Sequence, residues 1–118
     1  MIIGKTFKFE AAHFLPGHAK CGRVHGHTYK LTVEVSDRVY PSGMVMDLHD
    51  LSDLVGSVIN TWDHSHLNEL FSQPTCEILV EAIWNGLIEA LVTNFLDPNI
   101  LYSIQLQEGE GGYARRER

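Results

Sequence analysis

The odd positions from His25 to Val35 are His25, His27, Tyr29, Leu31, Val33 and Val35, while Thr28, Lys30, Thr32 and Glu34 lie between them. A period of two with one apolar side predicts a strand with one buried face, because successive side chains point to opposite faces. Ile3 to Phe9 repeats the pattern, with Ile3, Phe7 and Phe9 on the odd side and only Lys5 breaking it. Ala11 and His13 continue that side if this strand runs on. Pro41-Ser42-Gly43 reads as a turn, which makes Met44 to Met46 a short return strand. The period then changes. Asp47 is placed to cap a helix, with Asp50 in its first turn and Leu48, Leu51, Leu54, Val55, Val58, Ile59 and Trp62 at helical spacing. Pro74-Thr75 opens a second helix with Glu77 in its first turn. Its apolar stripe is Ile78, Leu79, Ala82, Ile83, Leu87, Ala90 and Leu91. After an Asp97-Pro98-Asn99 turn, Ile100 to Glu108 predicts a last strand with Tyr102, Ile104, Leu106 and Glu108 on one face. Gly109 to Arg118 is Gly-rich and then charged, and is expected to be mobile. Strands first, two helices, then a strand is an α+β order. Neither a repeat nor a linker divides residues 1–118, so one domain is expected.

Composition narrows the function classes. Nine Lys and Arg stand against fifteen Asp and Glu, a formal charge of −6. That balance lacks the basic footprint of a nucleic-acid binder. No apolar run approaches the ~20 residues that span a bilayer, so neither nucleic acid nor membrane is an expected partner. The first ten residues alternate apolar and polar and do not read as a signal peptide. Two cysteines, Cys21 and Cys76, are too few for a disulfide framework, which predicts a reducing, cytoplasmic setting. The one compositional excess is histidine, with seven.

His25 and His27 are two apart on the clearest strand, so both rings point to the side that continues into Tyr29 and Leu31. Two neutral imidazoles on a half-buried face leave two ring nitrogens without partners, and one metal ion satisfies both. If the first two strands pair as a hairpin, His13 at the end of one lies beside His25 at the start of the other. Three histidines and an open position make a catalytic type of zinc site, as opposed to a closed four-ligand structural one. Cys21, on a Gly-flanked loop, has three readings from the residues alone: a fourth ligand, a reactive thiol beside the metal, or a free surface thiol. Lys20 and Arg23 flank it and are suited either to phosphate or to solvent. Asp63-His64 pairs a carboxylate with an imidazole, which suits proton transfer, although an ordinary polar cluster ending the helix is the commoner reason for such a pair; His66 is equally placed by spacing. Glu108 ends an apolar strand face, where a carboxylate needs a partner. The paired N–H groups of a flat heterocycle would supply one. His18 and His49 have no nameable partner and read as surface.

Taken together, Phe9-Glu10-Ala11-Ala12-His13, Cys21-Gly22-Arg23-Val24-His25-Gly26-His27, Gly43-Met44-Val45-Met46-Asp47, Asp63-His64, Leu67-Asn68, Pro74-Thr75-Cys76-Glu77 and Glu108 resemble the 6-pyruvoyltetrahydropterin synthase superfamily. The motifs keep the family's order and span residues 7 to 108. Three residues separate Cys21 from His25, which is similar to the bacterial 6-carboxytetrahydropterin synthases of the queuosine pathway.

The resemblance implies zinc bound by His13, His25 and His27, and Cys21 as the catalytic thiolate. It implies Asp63 and His64 as a proton relay, and Glu108, Thr75 and Cys76 against the pterin. Cys76 stands where the family often has Ser or Thr, and Trp62 where it usually has Leu. The substrate implied is 7,8-dihydroneopterin triphosphate, and the products are 6-carboxy-5,6,7,8-tetrahydropterin, acetaldehyde and triphosphate. Two alternatives stay open: a pyruvoyl-type synthase that stops at triphosphate elimination, and a non-enzymatic zinc-binding module of the same fold. The fold implied is the tunnelling fold, a four-stranded antiparallel sheet with two helices on one face. Trimers close its barrel and stack into hexamers. Sites lie between subunits, which leaves room for Glu108 to serve a neighbour's zinc.

Overall fold

The two strand periods near the N-terminus condense into one long hairpin. In the computed structural model, which describes residues 1–118, β1 spans Ile2–His13 and β2 spans His25–Ser36. Their antiparallel register sets Phe7 against Leu31, Phe9 against Tyr29, Ala11 against His27 and His13 against His25. The first strand therefore does run on past Phe9. Helix α1, Leu48–Ile59, starts where the Asp47 carboxylate accepts the His49 N–H at 2.8 Å. Helix α2, Cys76–Thr93, starts where the Thr75 hydroxyl oxygen accepts the Ile78 N–H at 3.2 Å. Strand β3 is the two residues Ser65–His66, β4 is Leu101–Glu108 and β5 is Tyr113–Glu117.

The sheet has five strands in the order β3-β1-β2-β4-β5, and it is mixed. This corrects the expected four antiparallel strands in three places. Met44 to Met46 forms no strand: Gly43 turns the chain with φ +86° and Val45 and Met46 pack on the core instead of joining a ladder. Ser65–His66 adds a parallel pairing to Ala11 and Ala12 of β1. Tyr113–Glu117, expected to be mobile, pairs antiparallel with β4. Gly109, at φ +54°, and the glycines after it let the chain reverse, and Glu108 N–H donates to the Gly112 carbonyl at 3.1 Å. The hairpin is anchored by Arg116, whose guanidinium lies 4.5 Å from the Trp84 ring centre and pairs with Glu81.

One apolar face of the sheet meets both helices. Phe9, Tyr29, Leu31, Val33, Ile104 and Leu106 pack in one buried cluster with Leu51 and Val55 of α1 and Leu79, Ile83 and Leu87 of α2. Burial of this kind stabilises each large apolar side chain by about 1.5–3 kcal/mol. The helix faces are turned slightly from the expected ones. Val80 and Trp84 are buried on α2 while Ile78 is exposed, and Trp62 lies beyond the end of α1, buried against Phe9 and Phe71. On β4 the expected face also shifts. Val35 opposes Leu101 and Glu34 opposes Ser103, so Tyr102 is an extra residue in a bulge. Leu101 takes the core position, and the Tyr102 hydroxyl donates to Glu117 at 3.1 Å instead. No helix is long and apolar enough to cross a membrane, and both cysteines are free.

Candidate metal centre

The register His13 against His25 places three imidazoles at one end of the hairpin. Because the side-chain period is two, a slip of one residue would send His13 to the opposite face. The ring centres lie 4.6 Å apart for His13 and His25, 5.1 Å for His13 and His27, and 4.9 Å for His25 and His27. One donor atom from each falls within 4.8 Å of the other two. Cys21 is not part of this group, so the fourth-ligand reading finds no support here.

The surroundings of each ring decide which nitrogen is offered. His13 is 1% exposed. Its Nδ1 lies 2.9 Å from the Pro74 carbonyl, which requires the proton on Nδ1. Its Nε2 is then a lone pair, and it is buried with no hydrogen-bond partner. Such an orphan costs about 1–3 kcal/mol, and a cation between the rings satisfies it. His25 Nδ1 lies 2.7 Å from the Arg23 carbonyl, leaving its Nε2 free in the same way. Burial, and after it the neighbouring His13 and His25, lower the pKa of His27 against the opposing pull of Glu108. Each ring offers one nitrogen to the space the three share, and the set fits zinc with one position left open. Zinc bound there would supply Lewis-acid polarisation of substrate oxygens.

Glu108, across from Tyr29 on β4, brings its carboxylate to 4.0 Å from His27 Nε2 within the same chain. It therefore stands beside the histidines of its own chain. Around it the environment is partly dry. Burial, then the Glu108 charge, pushes the Tyr29 hydroxyl well above its usual range. Burial pushes the Cys76 thiol up to about 11, and that thiol donates to the Leu106 carbonyl at 3.1 Å. Thr75 adjoins it, with its hydroxyl oxygen engaged in capping α2.

Asp63 and His64 are not gathered into the histidine cluster. They follow α1 along the edge of β1. The Asp63 carboxylate accepts the Glu10 N–H at 2.9 Å and lies 3.0 Å from His64 Nδ1. The Glu10 N–H first, and then the imidazole, hold Asp63 below the usual carboxylate range. His64 takes a positive φ of 58°. With Glu10, Thr28 and Ser65 it lines a shallow depression of about 460 Å³. Cys21 is half-buried in the loop that joins β1 to β2, between His13 and His25. His66 sits on β3 beside Phe14, and its Nε2 is also buried and unpartnered, but it belongs to no group of three metal-ligating side chains.

Several supports carry no signal that spacing alone reveals. Pro74 acts through its carbonyl. The Asn68 amide grips both the N–H and the C=O of Phe14, each at 2.9 Å, which fixes the chain next to His13. The Tyr29 hydroxyl approaches His13 Nδ1 at 3.4 Å, a second and weaker neighbour to the Pro74 carbonyl.

Known proteins resemble this chain in sequence and in fold. The chain is 48% identical over 89 residues, 75% of its own length and 77% of the relative's, to an Archaeoglobus fulgidus protein provisionally named a 6-carboxy-5,6,7,8-tetrahydropterin synthase. It is 39% identical over 109 residues, covering 85% of this chain and 84% of the relative, to the 6-carboxy-5,6,7,8-tetrahydropterin synthase of a Synechocystis species. The solved structure of Caenorhabditis elegans 6-pyruvoyl tetrahydropterin synthase superposes with a TM-score of 0.87 at 23% identity, covering 100% of this chain and 95% of that one, which shows the common fold. The profile of the family described as 6-pyruvoyl tetrahydropterin synthase matches residues 2–118, and the chain belongs to that family.

Proposed function

We propose that the protein is a zinc-dependent carbon–carbon lyase that converts 7,8-dihydroneopterin triphosphate, with water, to 6-carboxy-5,6,7,8-tetrahydropterin, acetaldehyde and triphosphate, as in queuosine synthesis. The observation that carries this reading is the buried, unpartnered Nε2 of His13 facing His25 and His27, with the Glu108 carboxylate 4.0 Å from His27. A ring with paired N–H donors held by Glu108 has its side chain next to the histidines. The names of the relatives support the carboxy-type product.

In this reading His13, His25 and His27 hold the zinc through nitrogen. Glu108 accepts two N–H groups of the pterin and sets its orientation. Cys21, as its thiolate, removes a proton from the substrate side chain. His64 exchanges protons with a side-chain hydroxyl, and Asp63 orients the ring through Nδ1. Thr75 and Cys76 border the pterin beside Glu108. Residues Ile2 to Glu10 of β1 have no partner strand on their outer side, and β5 is the opposite edge. Unpaired edges of this kind support assembly into a closed homo-oligomer, a trimer or a hexamer.

The family description favours a second reading, triphosphate elimination to the pyruvoyl product without carbon–carbon cleavage. Incubating the zinc-loaded protein with 7,8-dihydroneopterin triphosphate separates the readings. Acetaldehyde and carboxypterin in equal amounts are expected. Triphosphate without acetaldehyde favours the pyruvoyl reading, and no turnover leaves a zinc-binding module.

A further inference from the structure

The loop that carries Cys21 is built around His18, which lies on the surface as expected. His18 Nδ1 accepts the Cys21 N–H at 2.9 Å and the Lys20 N–H at 3.2 Å. The His18 N–H donates to the Leu15 carbonyl at 3.1 Å, and the Leu15 N–H donates to the Cys21 carbonyl at 2.7 Å. Residues 15 to 21 therefore close on themselves, with both backbone groups of Cys21 engaged. Gly22 completes the closure, because a Cβ there would fall inside contact distance of the His18 carbonyl oxygen. Two amides on one ring nitrogen require that nitrogen to be a lone pair. The ring thus performs the task that an Asp or Asn side chain performs in other turns, accepting N–H groups two and three residues on.

We propose that His18 is the positioning residue of Cys21, holding the peptide that presents the thiol between the two ends of the metal-bearing hairpin. The proposal rests on the reading of Cys21 as the proton-removing group of the proposed reaction. A thiol on a loop already fixed before substrate arrives needs no ordering at the moment of proton transfer. His18 touches neither the metal cluster nor Glu108 in the structure, so its effect is expected in turnover and not in zinc or pterin binding.

The test compares His18→Ala and His18→Asn with the wild type in the full-length, zinc-loaded protein. Asn offers an acceptor oxygen near the position of Nδ1, and Ala offers none. Amide hydrogen exchange at Lys20 and Cys21 reads the hold directly, while kcat and KM for 7,8-dihydroneopterin triphosphate read its consequence. In His18→Ala the Cys21 amide should exchange about 5- to 30-fold faster, and kcat should fall by a similar factor, the size of one or two lost hydrogen bonds. KM should stay within about twofold, and zinc content should be unchanged. His18→Asn should recover both readouts to within about threefold of wild type. Unchanged exchange and kcat in His18→Ala, or no recovery in His18→Asn, overturns the proposal. If exchange follows the variants but Cys21→Ala turns over like wild type, the reading of Cys21 as the base falls, and the catalytic part of this proposal with it.

Discussion

Zinc should stabilise this protein through His25, and removing that one side chain should abolish most of the effect. His25 is the informative ligand to cut. His13 is 1% exposed and tied to Pro74, so its loss would hollow the core and strand a carbonyl. His25 is half-buried, and its outer nitrogen meets only the Arg23 carbonyl. A ligand bound only by the folded state stabilises by RT ln(1 + [L]/Kd), about 4.1 kcal/mol when free zinc is 1,000 times Kd. For 118 residues at ~2.1 cal/mol/K each, the unfolding entropy is ~0.25 kcal/mol/K. The metal-free protein should therefore gain about 16 °C in Tm at that zinc level. Losing an outer-sphere partner alone weakens metal sites about 10- to 100-fold. A lost ligand at ~1,000-fold leaves only ~0.4 kcal/mol, or about 2 °C. The assay is calorimetry of chelator-stripped wild type and His25→Ala across a zinc titration, at one fixed protein concentration. Parallel rises in both proteins, or no zinc-dependent rise in the wild type, would refute the three-histidine site.

The other predictions concern the groups around the metal. Cys21→Ala should keep the zinc-dependent rise in Tm yet lose turnover by about 1,000-fold or more, because it removes the base and no ligand; loss of zinc from that variant would make Cys21 a ligand after all. Glu108→Gln keeps the shape but sets an NH2 against a pterin donor, which should cost about 1–3 kcal/mol, or ~10- to 100-fold in pterin affinity by fluorescence titration at equal zinc content. Equal affinities would remove Glu108 from the pterin site. With its thiol pushed up to about 11, Cys76 should be labelled by iodoacetamide at pH 8 about 100-fold or more slowly than a free small thiol, since only ~0.1% is thiolate. The labelling rate should climb about tenfold per pH unit up to pH 10, read by peptide mass spectrometry; a rate already flat at pH 9 contradicts the buried setting.

What the local order of residues determined is the set of periods and caps. The alternation from His25 to Val35 places Tyr29, Leu31 and Val33 in the core with both histidines on their side, as found. Asp47 and Thr75 begin the two helices as expected, because a cap needs only its own side chain and amides two or three residues on. The motif order also carried the family, and strand spacing with the hairpin that joins the strands is what brings the three histidines together.

Tertiary structure decided whatever depends on which segments meet. The period of a strand is silent about its partner, so only the register set His13 opposite His25, and only the fold put the Pro74 carbonyl on the outer nitrogen of His13. The bulge at Tyr102 is a mismatch between β2 and β4, and neither strand announces it alone. The same holds for the tail: the charged segment Tyr113–Glu117 reads as mobile until Trp84 and Glu81, on a helix far back in the chain, give Arg116 a partner. Two-residue β3 has no period to read, yet its pairing with β1 fixes the chain that follows Asp63 and His64. His18 lies on the surface as expected, but its hold on the Lys20 and Cys21 amides leaves no mark in the sequence, because backbone amides are the same at every residue.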